Sequence, residues 1–204
     1  MCPGGSVIGS ASRADEVVVN GMSNFARSAA NANAAIVVQV RTDDFPAEPL
    51  GGVRFQREME QAAFRAGGGN AFAPASSVGA FLRKEPPRGF GGVTPSYRPG
   101  VTPTDLWKVL PPFVAAGVRD GIAAFGRQLR GFDREDAVLT GVETRTSAPL
   151  RILRGEDMES VSCAGLYPVG EGAGYAGGIV SAAIDGMKAA ELVIRRYAPP
   201  EKMV

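Results

Sequence analysis

The sequence contains no histidine. Catalytic triads built on histidine are thereby excluded, as are most zinc and non-haem iron sites. Cysteine is nearly absent too. Cys2 and Cys163 are the only two, and their separation excludes a thiolate metal cluster or a disulfide scaffold. Two reduced thiols in a cytoplasmic protein fit instead. No apolar run is long enough to span a bilayer, and the opening MCPGGSVIGSAS lacks the basic and apolar regions of a signal peptide. Net charge is missing as well. The 22 basic and 21 acidic residues leave +1, which gives no electrostatic reason to expect nucleic acid or an anionic membrane as partner.

What is present is a balance of 45% hydrophobic and 21% charged residues, that of a folded globular chain. The 204 residues suffice for one ordinary core or one and a half small domains. Glycine (27) and proline (15) are abundant and fall in turns rather than repeats, so many tight loops are expected. Pro3, Gly4 and Gly5 read as a tight turn ahead of any regular element. That suggests residues preceding Met1, in a longer chain or in a partner.

Short β-rich runs occur at 16–20 (EVVVN) and 33–40 (NAAIVVQV), the second apolar enough for a buried strand. Residues 53–66 (VRFQREMEQAAFRA) carry apolar side chains at helical spacing, and Gly67–Gly69 stop the helix. Arg54, Arg57 and Glu60 on it read as a solvated face. Residues 70–103 are dense in proline and glycine and read as a loop or small lobe. Thr102 or Thr104 is placed to cap a helix from Asp105, which Pro111 and Pro112 interrupt before a second helix at 114–129. Strands are expected at 137–144, 150–153 and 165–170, and a helix at 179–197. Ala182, Ala183, Gly186 and Ala190 give that last helix a face of small residues for close packing. Arg195, Arg196 and Lys202 read as solvated.

Between the last strand and helix, Gly172, Gly174 and Gly177 satisfy G-x-G-x-x-G, the dinucleotide fingerprint. A dinucleotide unit also needs a second parallel strand after the helix, ending in an acidic residue. Only residues 198–204 follow here, with two prolines, and Glu191 falls inside the helix. The fingerprint in its simple form is therefore rejected. Glycines that admit a ligand, and unpaired amides at a helix start, still suit an electron-rich group. A tight turn with no ligand fits the same residues.

Residues 165–186 (GLYPVGEGAGYAGGIVSAAIDG) resemble the closing motif of bacterial FAD-dependent dehydrogenases, NAD(P)/FAD-dependent oxidoreductases of the glutathione-reductase-like class with two dinucleotide-binding domains. The segments MCPGG (1–5), VVNGMS (18–23), NANAAIVV (31–38), QREMEQAAFRAGGGNAFAP (56–74) and GVETRTSAPLRILR (141–154) are similar to the same family, in order. The resemblance implies an α/β fold: a partial FAD-binding Rossmann-like domain with an inserted substrate or cap lobe. Residues 1–40 would belong to the FAD-binding core, 41–134 to the lobe, and 135–204 to the returning strand, loop and helix. FAD is the implied cofactor and NAD(P)H a candidate electron donor, with a small-molecule substrate. Glu171 would bond the ribityl chain, and Gly170 beside it is counted among the cofactor-binding residues. Gly172, Gly177, Gly178 and Ile179 would lie along the flavin ring, where the helix dipole favours negative charge. Tyr175 would sit beside the ring or anchor the loop over the next helix. The family's phosphate-gripping G-x-G-x-x-G is missing from this sequence, so a missing N-terminal segment or partner chain is expected.

Three further residues stand out. Cys2 sits in a Cys-Pro-Gly-Gly turn, structural rather than redox for want of a CxxC partner. Arg145, just after an expected strand, suits a carboxylate or phosphate of substrate or cofactor; an ion pair with Glu143 is the alternative. No general acid or base is identifiable, and without histidine it must be Tyr, Cys, Lys or a carboxylate.

Overall fold

A computed structural model describes residues 2–197. The expected tail at 198–204, Lys202 included, lies outside the described residues, as does the Cys2 side chain. The fold is mixed α/β with two small sheets. No helix among the described residues is long and apolar enough to cross a membrane. The chain divides into two compact units, Met1–Phe45 with Arg54–Thr144, and Pro46–Val53 with Arg145–Val204.

In unit 1, β1 (Cys2–Gly9) pairs antiparallel with β2 (Val19–Met22) on one side and β3 (Asn31–Asn33) on the other. The expected turn at Pro3–Gly5 is thus part of a strand. Its irregularity survives as a register shift between Cys2 and Gly5, with Gly4 at φ +54°. The run at 33–40 is not a strand. Beyond Asn33 no strand pairs with it among the described residues. Without ladder partners it forms no regular element, and of it Ile36 and Val38 pack against the core.

The second sheet has the order β5 (Val101–Pro103), β4 (Ala73–Ser77), β6 (Val138–Thr140). β4 runs parallel to β5 and antiparallel to β6. This corrects the reading of 70–103 as irregular. Prolines and glycines cluster there, but the buried run APASS between them forms the central strand. α2 (Val78–Arg83) follows at once, capped by the Ser77 hydroxyl on the Ala80 amide.

α1 (Gly51–Gly67) matches its expectation. Gly68 and Gly69 take positive φ, and the Gly69 amide donates to the Phe64 carbonyl, closing the helix end. At 106–108 a single 3-10 turn is capped by Asp105 itself rather than Thr102 or Thr104. α3 (Pro112–Gln128) starts on the proline expected to interrupt it, because proline is favourable at a first helical position. The core joins Phe81, Leu106, Ile122, Val118, Ala63, Val17 and Val142, with Phe81 stacked on Trp107 at 5.4 Å.

Glu60 on α1 is not solvated. It is 1% exposed and accepts a 2.6 Å bond from the Thr144 hydroxyl. Arg57 is likewise tied, at 3.2 Å, to the buried Glu16 carboxylate. Polar periodicity marks a surface face only when no neighbouring loop brings its own polar groups to meet it.

Unit 2 is built otherwise. Its one long element is α4 (Ile179–Tyr197), with the bounds expected. Neither 150–153 nor 165–170 forms a strand. Pro168 has no N–H to donate, Gly165 sits at φ +78°, and Leu166 and Val169 are exposed rather than buried. Single backbone bonds hold these segments instead. Ile152 donates to Ala173, Val161 to Leu153, and Ser160 to Leu166.

Candidate functional site

The glycine-rich loop lies wholly within unit 2 and leads into α4. Two of its glycines are required by the loop's own shape. Gly170 has φ +74°, and Gly174 has φ +82° with a would-be Cβ only 2.5 Å from the Leu150 carbonyl oxygen. The other two motif positions differ. A Cβ at Gly172 or Gly177 would meet nothing within 4 Å, and at Gly178 only the Ser181 hydroxyl at 3.9 Å. Nothing inside this chain requires glycine there, and the space above them is open.

The loop is folded back on itself by bonds from the Gly174 amide to the Glu171 carbonyl (2.9 Å) and from the Tyr175 amide to the Gly170 carbonyl (3.0 Å). α4 begins directly behind it. The first internal bond there runs from the Ala182 amide to the Gly178 carbonyl, and Ser181 Oγ also donates to that oxygen. The amides of Gly177, Gly178 and Ile179 have no backbone acceptor among the described residues, as expected at a helix start. Ile179 itself is 91% exposed. Glu171 stands in a turn, not at a strand end. Its carboxylate has no hydrogen bond or salt bridge among the described residues. An acceptor group, a row of unspent donors and three open glycines are therefore adjacent in sequence and on one loop.

The loop is positioned by residues the sequence did not single out. Arg154 donates two bonds to the Asp185 carboxylate on α4, at 2.9 and 2.7 Å, and a third to the Pro168 carbonyl at 2.7 Å. Asp185 in turn accepts from the Gly170 amide at 2.8 Å, so one carboxylate locks loop to helix. Both side chains of the pair are only 12% exposed. Arg154 foremost, with the Gly170 amide, holds the Asp185 carboxyl down to about 2. The Arg154 guanidinium also lies 3.6 Å from the Tyr175 ring centre, and Arg151 lies 5.0 Å from it while donating to the Gly174 carbonyl. The signal that was available was modest: Asp185 is the sole charge in the first nine residues of α4, and Arg151 and Arg154 stand three apart.

Tyr175 thus has two arginine guanidiniums close to its ring, and its amide bonds the Gly170 carbonyl. Arg145 is half-buried at the start of the second stretch of unit 2 and engaged in contacts. Burial pushes the neighbouring Glu143 carboxyl up. Cys163 is exposed with a free thiol. Arg196, expected to be solvated, bonds the Glu159 carboxylate and, at 3.0 Å, the Tyr167 hydroxyl. The Gly165 amide, which donates to the Glu159 carboxylate, and after it Arg196, hold that carboxyl below its usual range. Unit 1 has a hollow of about 230 Å³ lined by Phe55, Glu58, Met59, Val109, Leu110 and Pro111. It is smaller than the roughly 300–1,000 Å³ of ligand pockets and brings no polar groups into convergence.

Residues 1–146 match the family described as "FAD-dependent protein, C-terminal domain-like". The glycine loop lies beyond that stretch. An uncharacterized protein of Clostridium beijerinckii (strain ATCC 51743 / NCIMB 8052) is 48% identical over 202 residues, 98% of this chain and 38% of the relative. The chain therefore spans well under half the length of the relative it matches.

Proposed function

We propose, for a chain that belongs to the FAD-dependent protein, C-terminal domain-like family, that residues 170–179 form the flavin-ring end of an oxidoreductase's cofactor site. The observation that carries the proposal is the open face above Gly172, Gly177 and Gly178, beside unspent amides and an unpaired carboxylate. These residues fit the ring and ribityl part of FAD. Glu171 would accept from ribityl hydroxyls. The amides of Gly177, Gly178 and Ile179, aligned with the α4 dipole, would face the electron-rich edge of the ring. When bound, FAD supplies hydride or electron transfer. The residues of this chain orient it and hold partial positive charge beside it. In this reading the enzyme is a dehydrogenase acting on a small molecule, with NAD(P)H a candidate electron donor. The chain supplies the end of a Rossmann-like FAD domain together with a substrate or cap lobe at 41–134, and Arg145 is a weaker candidate for an acidic group of the substrate.

The residues present do not provide a grip for the diphosphate. An independent NAD-binding module is the less favoured reading of the loop, because among the described residues of unit 2 no strand precedes it. The test is equilibrium titration with FAD. The isolated chain binds it weakly or not at all, and Gly177→Val abolishes what binding there is while leaving the helix content unchanged. Stoichiometric, tight FAD binding by the chain alone would contradict the incomplete site. Binding indifferent to Gly177→Val would remove the loop from it.

A further inference from the structure

Unit 1 holds a hollow of about 230 Å³ that the proposed flavin function does not use. One wall is a single face of α1, where Phe55, Glu58 and Met59 stand at i, i+3 and i+4. The other wall is the link from the 3-10 turn into α3, formed by Val109, Leu110 and Pro111. Phe55 is also the middle ring of an aromatic row, 6.2 Å from Phe45 and 6.4 Å from Phe113. The volume is too small for a cofactor, but it exceeds the roughly 150 Å³ in which an apolar cavity takes up benzene. The polar groups around it are of one kind. The amides of Val109 and Leu110 both donate to the Leu106 carbonyl, at 3.2 and 3.0 Å. Pro111 and Pro112 have no N–H. The amides of Phe55, Glu58 and Met59 are spent inside α1. Among the described residues, therefore, no backbone donor lining the hollow is left for an anion. The Glu58 carboxylate is the one charged lining side chain. It is exposed and has no hydrogen bond or salt bridge among the described residues.

We propose that this hollow binds a single aromatic ring bearing a cationic nitrogen, a ligand of the arylalkylammonium class. The ring would lie among Phe55, Met59, Val109 and Leu110, where aromatic–aromatic and sulfur–aromatic contacts favour it over an aliphatic group of equal size. The cation would face Glu58. An anion of the same shape would meet a carboxylate and no donor. The affinity is modest, because Glu58 is open to solvent and a ligand of this size has few atoms. The site goes beyond the flavin reading and does not rest on it. Every residue it uses lies in unit 1, whereas the glycine loop lies in unit 2.

The test is a titration of the methyl-labelled chain with benzylammonium, and with toluene and benzoate as its uncharged and anionic counterparts. Benzylammonium should shift the methyl signals of Met59, Val109 and Leu110 saturably at millimolar concentration. Toluene should do so more weakly, and benzoate not at all. Glu58→Gln should weaken benzylammonium binding about three- to fivefold and leave toluene binding unchanged. Glu58 is exposed, so the spectrum of the ligand-free variant should match that of the parent chain away from the substitution. Raising the salt from about 0.01 M to about 1 M should weaken benzylammonium and not toluene. The absence of a saturable shift at these methyls overturns the proposal, as does benzoate binding as tightly as benzylammonium. Indifference to Glu58→Gln overturns it too, since the hollow is then apolar without selectivity for charge. Flavin binding is read at other residues, the amides of 172–179, so either reading can fail without the other.

Discussion

The two units of this chain are held together by different physics. Every member of the buried apolar cluster, from Val17 to Val142, lies in unit 1. There Phe81 and Ile122 are fully buried, and two sheets and three helices enclose them. Unit 2 buries little beyond Met158, Ala173 and Ala189. It leaves Leu153, Val161, Ile179, Val180 and Met187 in contact with solvent. Its order comes from polar clamps, Arg154 on Asp185 and Arg196 on Glu159, acting on a backbone short of regular structure. A unit with a core of its own has the burial that a folding unit needs. A unit made of clamps around a loop, with apolar side chains outward, depends on those clamps for its order.

The largest expected effect is in unit 1. Phe81→Ala removes a fully buried ring stacked on Trp107 and should cost about 3–5 kcal/mol, read as a lower urea midpoint of the main cooperative transition. The second effect separates the units. Asp185→Asn breaks the clamp on Arg154 and the acceptor for Gly170, and should cost about 2 kcal/mol in unit 2. It should appear as faster amide exchange at Gly170 and in α4, with the Phe81 region unchanged. If the main transition moves as much as the local exchange, the contrast between units collapses.

Acid should act on the same clamp. Asp185 is held at about 2, below its unfolded value near 3.9, so its contribution is full above about pH 4 and is lost as pH falls toward 2. Loop and α4 amides should lose protection in that window, and Asp185→Asn should remove the dependence. The smallest effects concern glycines. Gly174→Ala should cost about 1–2 kcal/mol, because it forces a side chain onto a positive φ and against the Leu150 carbonyl. Gly172→Ala should lie within about 0.5 kcal/mol, since nothing in the chain opposes the added methyl. Equal costs at the two positions would mean that the open face is not open.

The long helices were legible in the sequence because their signals are local, whereas the short α2 inside 70–103 was missed and the helix expected from Asp105 is a single 3-10 turn. Apolar spacing and the Gly67–Gly69 stop define α1, and α4 has the bounds read for it. Strands fared worse, since a strand needs a partner that sequence does not show. The apolar run at 33–40 found none, whereas APASS at 73–77, with a proline inside it, became the central strand. Of the candidate site, the glycines and Glu171 were visible as a motif. The clamp was not, because Arg154 and Asp185 are 31 residues apart and meet only in the fold. Glu60 was misread for the same reason: its partner Thr144 lies 84 residues away.

The central claim is that the loop at 170–179 receives a flavin ring. It is tested most directly by following the backbone amides of the isotope-labelled chain while riboflavin, FAD and NAD are added in turn. The account predicts that riboflavin and FAD shift the amides of Gly172, Gly177, Gly178 and Ile179 to a similar extent, because ring and ribityl make the contacts, and that NAD does not. Shifts produced by NAD in place of riboflavin, or flavin-induced shifts confined to other residues, would contradict it.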